Sequence, residues 1–270
     1  SVAIEPKTHS DQEKLEQVLS KFLDEDPTLK VKIDEDTGQT ILSGMGELHL
    51  EVITHRMQRE FNTHVNVGKP QVVYRETIET PCEGEALFDK EVAGQRHFGR
   101  VRLRLVPQSR GAGNSFVNEL PPEKLPTASA AAAASGIMES LESGTLMGYP
   151  VVDVQAVLMD GEYRESLSTE LAFKVSASMA VKAALRDGQP YLLDPIMRVE
   201  VFVPETFMGE VIGDLNARGG KVESIDHRQG IQAVTASVPL ARMFGYSTAL
   251  RSTTQGRGTF SMHFSHFDRS

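Results

Sequence analysis

Residue types that could carry out covalent or hydrolytic chemistry form no recognisable site in this sequence. Nucleotide hydrolysis would need a phosphate-binding loop of the form G-x-x-x-x-G-K-[ST]. The most similar segment, residues 216–221, lacks the first glycine and the hydroxyl after the lysine. Neither the G-x-S-x-G motif of serine hydrolases nor an HExxH zinc motif occurs. Carboxylates are plentiful, but no two of them are spaced in a way that distinguishes a catalytic pair from ordinary surface acids. The sequence therefore predicts no catalytic residue in this chain.

Metal binding is not predicted either. His263 and His266 are three positions apart in a segment that reads as a strand, where this spacing directs them to opposite faces. Glu47 and His49 are two positions apart on a predicted helix and also diverge. Cys82 is the single cysteine. It can form no internal disulfide and no CxxC metal site, which favours a reducing compartment.

A cluster of basic side chains is the feature that most favours contact with nucleic acid. The net charge of the whole chain is −9, which argues against general coating of RNA because phosphate contacts need lysine and arginine. Residues 90–110 nevertheless contain one acid, Glu91, and six basic residues: Lys90, Arg96, Arg100, Arg102, Arg104 and Arg110. Two interpretations stay open, a targeted RNA contact and a solvated strand face.

The elements that would position these residues begin with a segment that ends at about residue 73. A short strand is followed by a capping-box spacing, Ser10 to Glu13, which predicts the start of a helix. Two strands with alternating apolar and polar residues then flank a turn at residues 36–38. A second apolar helix and a closing strand follow. The order is β-α-β-β-α-β, the split ferredoxin-like motif.

The last segment repeats that order of elements. A strand is predicted over residues 197–203, and the helix after it ends at Gly219 and Gly220, as helices with glycine C-caps do. Two further strands precede a helix predicted over residues 240–250 and a final strand over residues 259–264. The two copies share element order and not residue identity.

The middle segment differs from both ends. It combines charged strands, a proline-rich stretch at 121–126, an alanine-rich helix that ends near Leu141, a strand over 151–158 and a helix over 168–185. The predicted fold class is therefore α+β, with two ferredoxin-like domains at 1–73 and 193–270 flanking a central α/β domain at 74–192. No apolar run is long enough to cross a membrane. The first residues resemble no signal peptide, and the absence of a starting methionine predicts a longer parent.

Long strings along the whole chain resemble elongation factor G, a family of translational GTPases. They are residues 37–51 (TGQTILSGMGELHLE), 67–77 (VGKPQVVYRET), 148–153 (GYPVVD), 209–218 (GEVIGDLNAR) and 250–258 (LRSTTQGRG). The resemblance implies that the three predicted domains correspond to domains III, IV and V of that family. It also implies a cytoplasmic, monomeric parent that binds GTP and Mg in a domain absent here, so that this chain holds no cofactor and is no enzyme itself.

The partners follow from the same resemblance. Domain IV would reach the decoding site of the ribosome beside transfer and messenger RNA, and domain V would lie near the sarcin–ricin loop and the stalk base. Two tip loops of domain IV would contact RNA. The first, residues 93–101 (AGQRHFGRV), matches the family's GGRGQYGHV, and the second, residues 163–169 (YRESLST), matches YHDVDSS. The residues so implied are Gln95, Arg96, His97, Arg100, Tyr163, Arg164 and Glu165.

Both tip loops depart from the family pattern. Arg96 replaces a glycine and Phe98 a tyrosine in the first loop, while Arg164 replaces the tip histidine and Leu167 an acid in the second. Replacing a glycine by arginine exchanges close backbone approach for a long cationic side chain. A guanidinium at position 164 could fork onto a phosphate, stack on a base, or form an idle surface pair with Glu162 or Glu165.

Two further groups of residues carry implied roles. Arg251, Ser252 and Gln255 match positions that contact the sarcin–ricin loop in the family, although they could instead cap a helix and shape the turn to Gly256. The other group would face the absent GTPase domain, although its glycines could simply form a turn. Its members are Gly44, Met45, Gly46 and His49.

The predicted function is therefore the C-terminal, ribosome-binding part of an elongation factor G-like factor that promotes GTP-dependent translocation of transfer and messenger RNA. The altered tip keeps open a specialised paralogue for ribosome recycling or ribosome protection. A stand-alone ribosome- or RNA-interaction module is an alternative of another class, against which the missing methionine and the early strand at Val2 argue. A metabolic enzyme on ferredoxin-like folds has no residues to support it.

Overall fold

The computed structural model describes residues 1–34, 37–121, 123–228 and 230–269, with only the backbone described for Glu47 and Arg228. Asp36 of the predicted turn and Pro122 of the proline-rich stretch lie outside the described residues. The chain divides into two compact units, one of residues 1–73 with 195–265 and the other of residues 74–194 with 266–270. Within the described part, no helix is both long and apolar enough to span a bilayer.

The first segment folds as the predicted β-α-β-β-α-β unit. Its elements are β1 Val2–Pro6, α1 His9–Glu25, β2 Lys30–Ile33, β3 Thr40–Ser43, α2 Glu47–Phe61 and β4 Val65–Gly68. The four strands form an antiparallel sheet in the order β2-β3-β1-β4. Both helices bury apolar residues against it, with Phe22 of α1, Met57 of α2 and Leu42 of β3 in one core.

The start of α1 differs from the prediction by two residues. Thr8, not Ser10, is the N-cap: its backbone is extended and its Oγ1 accepts a hydrogen bond from the Asp11 amide at 3.2 Å. The Asp11 carboxylate in turn accepts from the His64 amide at 2.9 Å. That hydrogen bond is the main cause of the lowered pKa of Asp11. Tertiary anchoring of Asp11 therefore decides where the helix begins.

The central segment is a sheet with helices packed on one face. Its elements are β5 Arg75–Ile78, β6 Cys82–Val92, β7 Gln95–Pro107, β8 Ser115–Asn118, α3 Thr127–Ser140, β9 Val154–Glu162 and α4 Glu170–Asp187. Four strands run in the order β6-β7-β9-β8, and only the β8–β9 pair among these described strands is parallel. Alternate residues of β7 (Val101, Leu103 and Leu105) pack beneath the helices. The other face of β7 is left for its arginines.

One strand of this domain is shifted from the prediction. The sequence predicted a strand over residues 151–158, whereas β9 begins at Val154 and continues to Glu162. Val151 forms only an isolated bridge with Glu76. Asp153, between them, adopts a left-handed backbone with φ of 60° and accepts from the amides of Gly111 and Gly113 at 3.0 and 2.9 Å. That turn interrupts the strand.

The last segment is a second β-α-β-β-α-β unit, as predicted. Its elements are β10 Pro190–Pro204, α5 Met208–Ala217, β11 Lys221–Arg228, β12 Ile231–Pro239, α6 Tyr246–Thr253 and β13 Thr259–Asp268. The strand order β11-β12-β10-β13 repeats that of the first unit, and the first residues of β10 also pair with β5. The predicted helix over 240–250 is wrong at its start. A 3-10 turn at Leu240–Arg242 is followed by Gly245 at φ of 77°, and α6 begins after it.

Candidate functional site

The two tip segments predicted from the sequence lie side by side. Ala93 and Gly94, with φ of 54° and 79°, form the two-residue turn between β6 and β7. The second loop, residues 163–169, follows β9. The Phe98 amide donates to the Leu167 carbonyl at 2.9 Å, and His97 Nδ1 is hydrogen-bonded to Thr169 Oγ1 at 2.8 Å. These bonds join the hairpin to the loop, and we name the joined structure the tip.

The first tip segment is a strand rather than a loop over most of its length. Residues 95–101 belong to β7 and pair in register with β6, from Gln95 opposite Val92 to Val101 opposite Ala86. Only residues 93 and 94 form the turn. Antiparallel pairing fixes alternating side-chain directions along β7. Arg96, Phe98 and Arg100 therefore share the face of the sheet opposite the helices.

Arginines on this open face are paired with carboxylates. The Arg96 guanidinium forms a bidentate pair with Asp89, with Nε–Oδ1 and Nη2–Oδ2 distances of 2.8 Å, and these bonds hold the pKa of the Asp89 carboxyl below its usual range. Arg100 lies 2.9 Å from both Glu85 and Asp160. The pKa of Asp160 is likewise lowered, first by Lys124 and less by Arg100.

The other arginines of the basic stretch are also paired with carboxylates. Carboxylates stand within 4.0 Å of the remaining three arginines, in the pairs Arg102–Glu83, Arg104–Glu119 and Arg110–Asp153. All three acids lie outside residues 90–110: Glu83 is on β6, which pairs with β7, whereas Glu119 follows β8 and Asp153 precedes β9. The open face is therefore a pattern of alternating charge and not a net-basic stripe. This arrangement favours the solvated-face interpretation for the stretch beyond the tip.

Arg164 occupies the middle of the tip. Its Nε donates to Glu162 Oε1 at 2.8 Å, its Nη2 lies 2.7 Å from the same oxygen, and its Cζ lies 4.0 Å from the centroid of the Phe98 ring. The backbone amide of Arg164 donates to Ser168 Oγ at 2.8 Å. The surface pair with Glu162 is thus present, together with a cation–π contact.

The remaining tip residues are open to solvent or partly so. Gln95, beside the turn, and Glu165, on the second loop, are exposed. The half-exposed Tyr163 ring stacks against Phe173 of α4, with centroids 6.5 Å apart and an interplanar angle of 10°. The structure therefore gathers the seven tip residues at one end of the central domain.

Arg251 of α6 meets the residues predicted to face a GTPase domain. Its Nη2 donates to the Met45 carbonyl, and its guanidinium lies over Gly46, where an added Cβ would be 3.3 Å from Nη1. Ser252 is exposed, and Gln255 follows in the turn after α6 with φ of 53°. Thr254, which the sequence did not single out, holds that turn because its Oγ1 donates to the Leu250 carbonyl at 2.7 Å and accepts from the Gly258 amide at 2.8 Å.

His49 fixes the turn that leads into α2. Its Nδ1 accepts from the Met45 amide at 3.1 Å and its Nε2 is hydrogen-bonded to Asp26 Oδ2 at 2.7 Å, so the ring ties the turn to the end of α1. A Cβ at Gly44 would lie 2.6 Å from His49 Nδ1, which explains the glycine. The pKa of Asp26 is lowered chiefly by the Thr28 hydroxyl, with the Thr28 amide and His49 adding to it.

An exposed apolar stripe lies beside this turn. Met45, Leu48 and Val52 are 57%, 73% and 48% exposed. Leu48 and Val52 are four residues apart on α2 and therefore share one side of that helix. Exposed apolar side chains grouped in this way are typical of an interaction surface.

Glu76 is a structurally important residue that sequence reasoning missed. It is 1% exposed, and its carboxylate accepts hydrogen bonds from four successive amides, those of Leu146, Met147, Gly148 and Tyr149, at 2.8–3.1 Å. A signal was present, because Glu76 and Gly148 stand in two of the strings that carry the family resemblance. Glu76 fixes the loop that precedes residues 150–153.

Metal and thiol chemistry gain no support. Within the described parts of the chain, no three His, Cys, Asp or Glu residues are grouped so that they could hold a metal ion. His263 and His266 both lie on β13. Cys82 is buried, and burial raises the pKa of its thiol to about 11.

Comparison with known proteins accounts for the whole chain. Three family models match in sequence order: Elongation Factor G, domain III, over residues 1–69; Elongation factor G, domain IV, over residues 70–189; and Elongation factor G C-terminus, over residues 191–270. A protein from Thermus thermophilus with a known crystal structure is 36% identical in sequence to this chain, and the two structures superpose with a TM-score of 0.85. That comparison covers 100% of this chain but 40% of the Thermus chain. The chain belongs to the elongation factor G family, of which it contains domains III and IV and the C-terminal domain.

Proposed function

We propose that this chain is the C-terminal, ribosome-binding part of an elongation factor G-like translation factor that promotes GTP-dependent translocation of transfer and messenger RNA. The observation that carries the proposal is the match of three consecutive domain models in order. Because the chain spans 40% of the length of its solved relative, the GTPase activity, with GTP and Mg, is proposed for another part of a longer parent. The parent is proposed to act as a monomer in the cytoplasm.

The turn before α2 is proposed to contact the GTPase domain of that parent. The apolar stripe of Met45, Leu48 and Val52 is exposed beside it, and His49 and Asp26 hold the turn in one shape. Gly44 and Gly46 allow the close approaches of His49 and Arg251. An apolar surface on a preformed turn suits a domain interface.

The RNA contacts are proposed at two places. Arg251, Ser252 and Gln255 would contact the sarcin–ricin loop near the stalk base, and Arg251 carries a guanidinium suited to phosphate. The tip residues would enter the decoding site beside transfer and messenger RNA. The joined hairpin and loop support this assignment, since they present seven predicted residues at one end of the domain.

A specialised paralogue for ribosome recycling or protection is the second candidate. The altered tip favours it, because Arg164 and Phe98, which both depart from the family pattern, are in direct contact. Arg96, a third departure, is paired with Asp89. A stand-alone ribosome- or RNA-binding module remains an alternative that requires no GTPase domain.

The full-length parent provides the decisive experiment. Single-turnover translocation and ribosome splitting would be measured side by side with a reconstituted system, using wild-type parent and GTP. Translocation without efficient splitting supports the main proposal, splitting without translocation supports the recycling paralogue, and neither activity contradicts both. The chain alone is expected to bind no fluorescent GTP analogue at micromolar concentration, and binding there would contradict the assignment of GTP to the rest of the parent.

A further inference from the structure

Phe98 places an apolar ring on the charged, open face of the central sheet. It shares this face of β7 with Arg96 and Arg100, yet it is 1% exposed. The second tip loop covers it: the Phe98 amide donates to the Leu167 carbonyl, and the Arg164 guanidinium lies 4.0 Å above the ring centroid. One face of the Arg164 guanidinium is therefore held against an aromatic ring.

One edge of the same guanidinium is also engaged. Nε and Nη2 of Arg164 lie 2.8 and 2.7 Å from Glu162 Oε1, at the last residue of β9. A planar group with one face stacked and this edge hydrogen-bonded has little rotational freedom. The Arg164 side chain is nevertheless 49% exposed. A planar guanidinium held on one face and half exposed can offer its other face to a planar ligand.

We propose that Arg164 is a stacking platform for an unpaired nucleobase of RNA, with Phe98 and Glu162 as the positioning residues that hold its plane. This inference rests on the proposed function and makes the tip contact specific. Guanidinium planes stack on unpaired bases, which single-stranded loops and bulges offer. Glu162 takes the Nε–Nη2 edge of the guanidinium, so a bidentate phosphate contact could use only the remaining Nη1–Nη2 edge. The partial neutralisation of Arg164 by Glu162 also weakens its attraction to phosphate.

The test compares three side chains at position 164 in the 270-residue chain, bound to isolated small ribosomal subunits. Arg164→Ala is expected to weaken binding by roughly tenfold, the scale of one stacked base. Arg164→Lys keeps the charge but lacks the plane, so it should bind as weakly as Arg164→Ala. The ratio of wild-type to Arg164→Ala affinity should be the same at about 50 and about 200 mM salt, because stacking releases no counterions.

Phosphate recognition predicts the opposite pattern. The guanidinium acts through its charge, and the stacking inference is wrong, in either of two cases. One is that Arg164→Lys binds as tightly as wild type, and the other is that wild type no longer binds more tightly than Arg164→Ala at about 200 mM salt. Arg198→Ala is the matched control, since Arg198 is an exposed arginine 3.5 Å from Glu200. Its affinity should equal that of wild type.

Position 98 tests the positioning role. Phe98→Tyr retains a ring beneath Arg164 and should keep wild-type affinity, whereas Phe98→Leu retains an apolar side chain but loses the ring and should lose most of the advantage of Arg164. Thermal unfolding of both variants separates a folding defect from a binding defect. Equal binding by folded Phe98→Leu and wild type would overturn the role of Phe98.

Two failures can be told apart. Absence of wild-type binding to small subunits at every salt concentration contradicts both the proposed function and this inference. Tight wild-type binding with an unaffected Arg164→Ala variant contradicts this inference alone and leaves the proposed function standing.

Discussion

Arg251 donates a hydrogen bond to the backbone carbonyl of Met45, 206 positions away in the chain. The bond joins a residue predicted to contact ribosomal RNA to a residue predicted to face a GTPase domain. The Met45 amide is bound in turn by His49, and His49 by Asp26. A continuous series of hydrogen bonds therefore runs from α6 to the end of α1.

Arg251→Ala should weaken ribosome binding with little effect on stability. The arginine is exposed, so its hydrogen bond should stabilise the fold by less than about 1 kcal/mol. A lost phosphate contact should reduce the slope of log affinity against log salt by roughly 0.7–0.9. Titrating the chain into ribosomes at several salt concentrations measures both quantities. Arg257→Ala is the control, and an equal effect of the two substitutions would remove any specific role for Arg251.

Low pH should reduce the stability against unfolding of the domain that contains Asp26. Its pKa is lowered in the folded protein, so the stability it provides is fully present above the unfolded pKa of about 3.9 and is lost as the pH falls through the folded pKa. Urea unfolding from about pH 2 to about pH 7 should show wild type losing stability in this acidic range. Asp26→Asn should reduce that dependence, and Asp24→Asn, which alters an exposed acid, should not. Parallel curves for all three proteins would contradict the assignment.

Glu76→Gln should destabilise the central domain. The amide retains an acceptor but brings an NH₂ group among four backbone donors in a buried site. The free energy of unfolding should fall by about 2–3 kcal/mol, because hydrogen bonds to a carboxylate are lost and a buried donor is left unsatisfied. Chemical unfolding measures it, and Glu79→Gln provides a control outside the site. A loss below about 0.5 kcal/mol, the lower end for one hydrogen bond, would show that Glu76 does not hold the loop.

Asp89→Asn should strengthen binding to RNA at low salt. Asp89 neutralises Arg96 through a bidentate pair, and its removal frees a cation at the tip. The slope of log affinity against log salt should steepen by roughly 0.7–0.9 if Arg96 then meets a phosphate. Glu16→Gln, on α1, changes the net charge equally but far along the chain from the tip. Identical slopes for the two variants would exclude a contact of Arg96 with RNA.

Element order could be predicted because it depends on local patterns. Apolar periodicity and the paired glycines after α5 placed both ferredoxin-like units, which the structure confirms as part of an α+β fold. Boundaries were less accurate where tertiary contacts decide between local signals. Ser10 with Glu13 fits a capping box, but the buried Asp11 makes Thr8 the cap. Likewise, a left-handed Gly245 divides the apolar segment that was predicted as one helix.

The candidate site could also be predicted only in part from the sequence. The resemblance identified which residues form the tip, but not that residues 95–101 are strand or that Arg164 rests on Phe98. Charge counted along residues 90–110 overstated the positive character, because Asp89, Glu85 and Glu83 lie outside that window and reach the arginines across strands. The contact of Arg251 with Met45 joins distant parts of the sequence and carries no local pattern.

Competition with an intact elongation factor G tests most directly whether this chain is a ribosome-binding part of such a factor. The labelled 270-residue chain would be bound to ribosomes, and unlabelled full-length elongation factor G with a non-hydrolysable GTP analogue would be added in increasing amounts. Shared sites at the decoding region and the sarcin–ricin loop predict complete displacement of the chain. Failure of the chain to bind, or binding that saturating factor leaves unchanged, would contradict the proposed function.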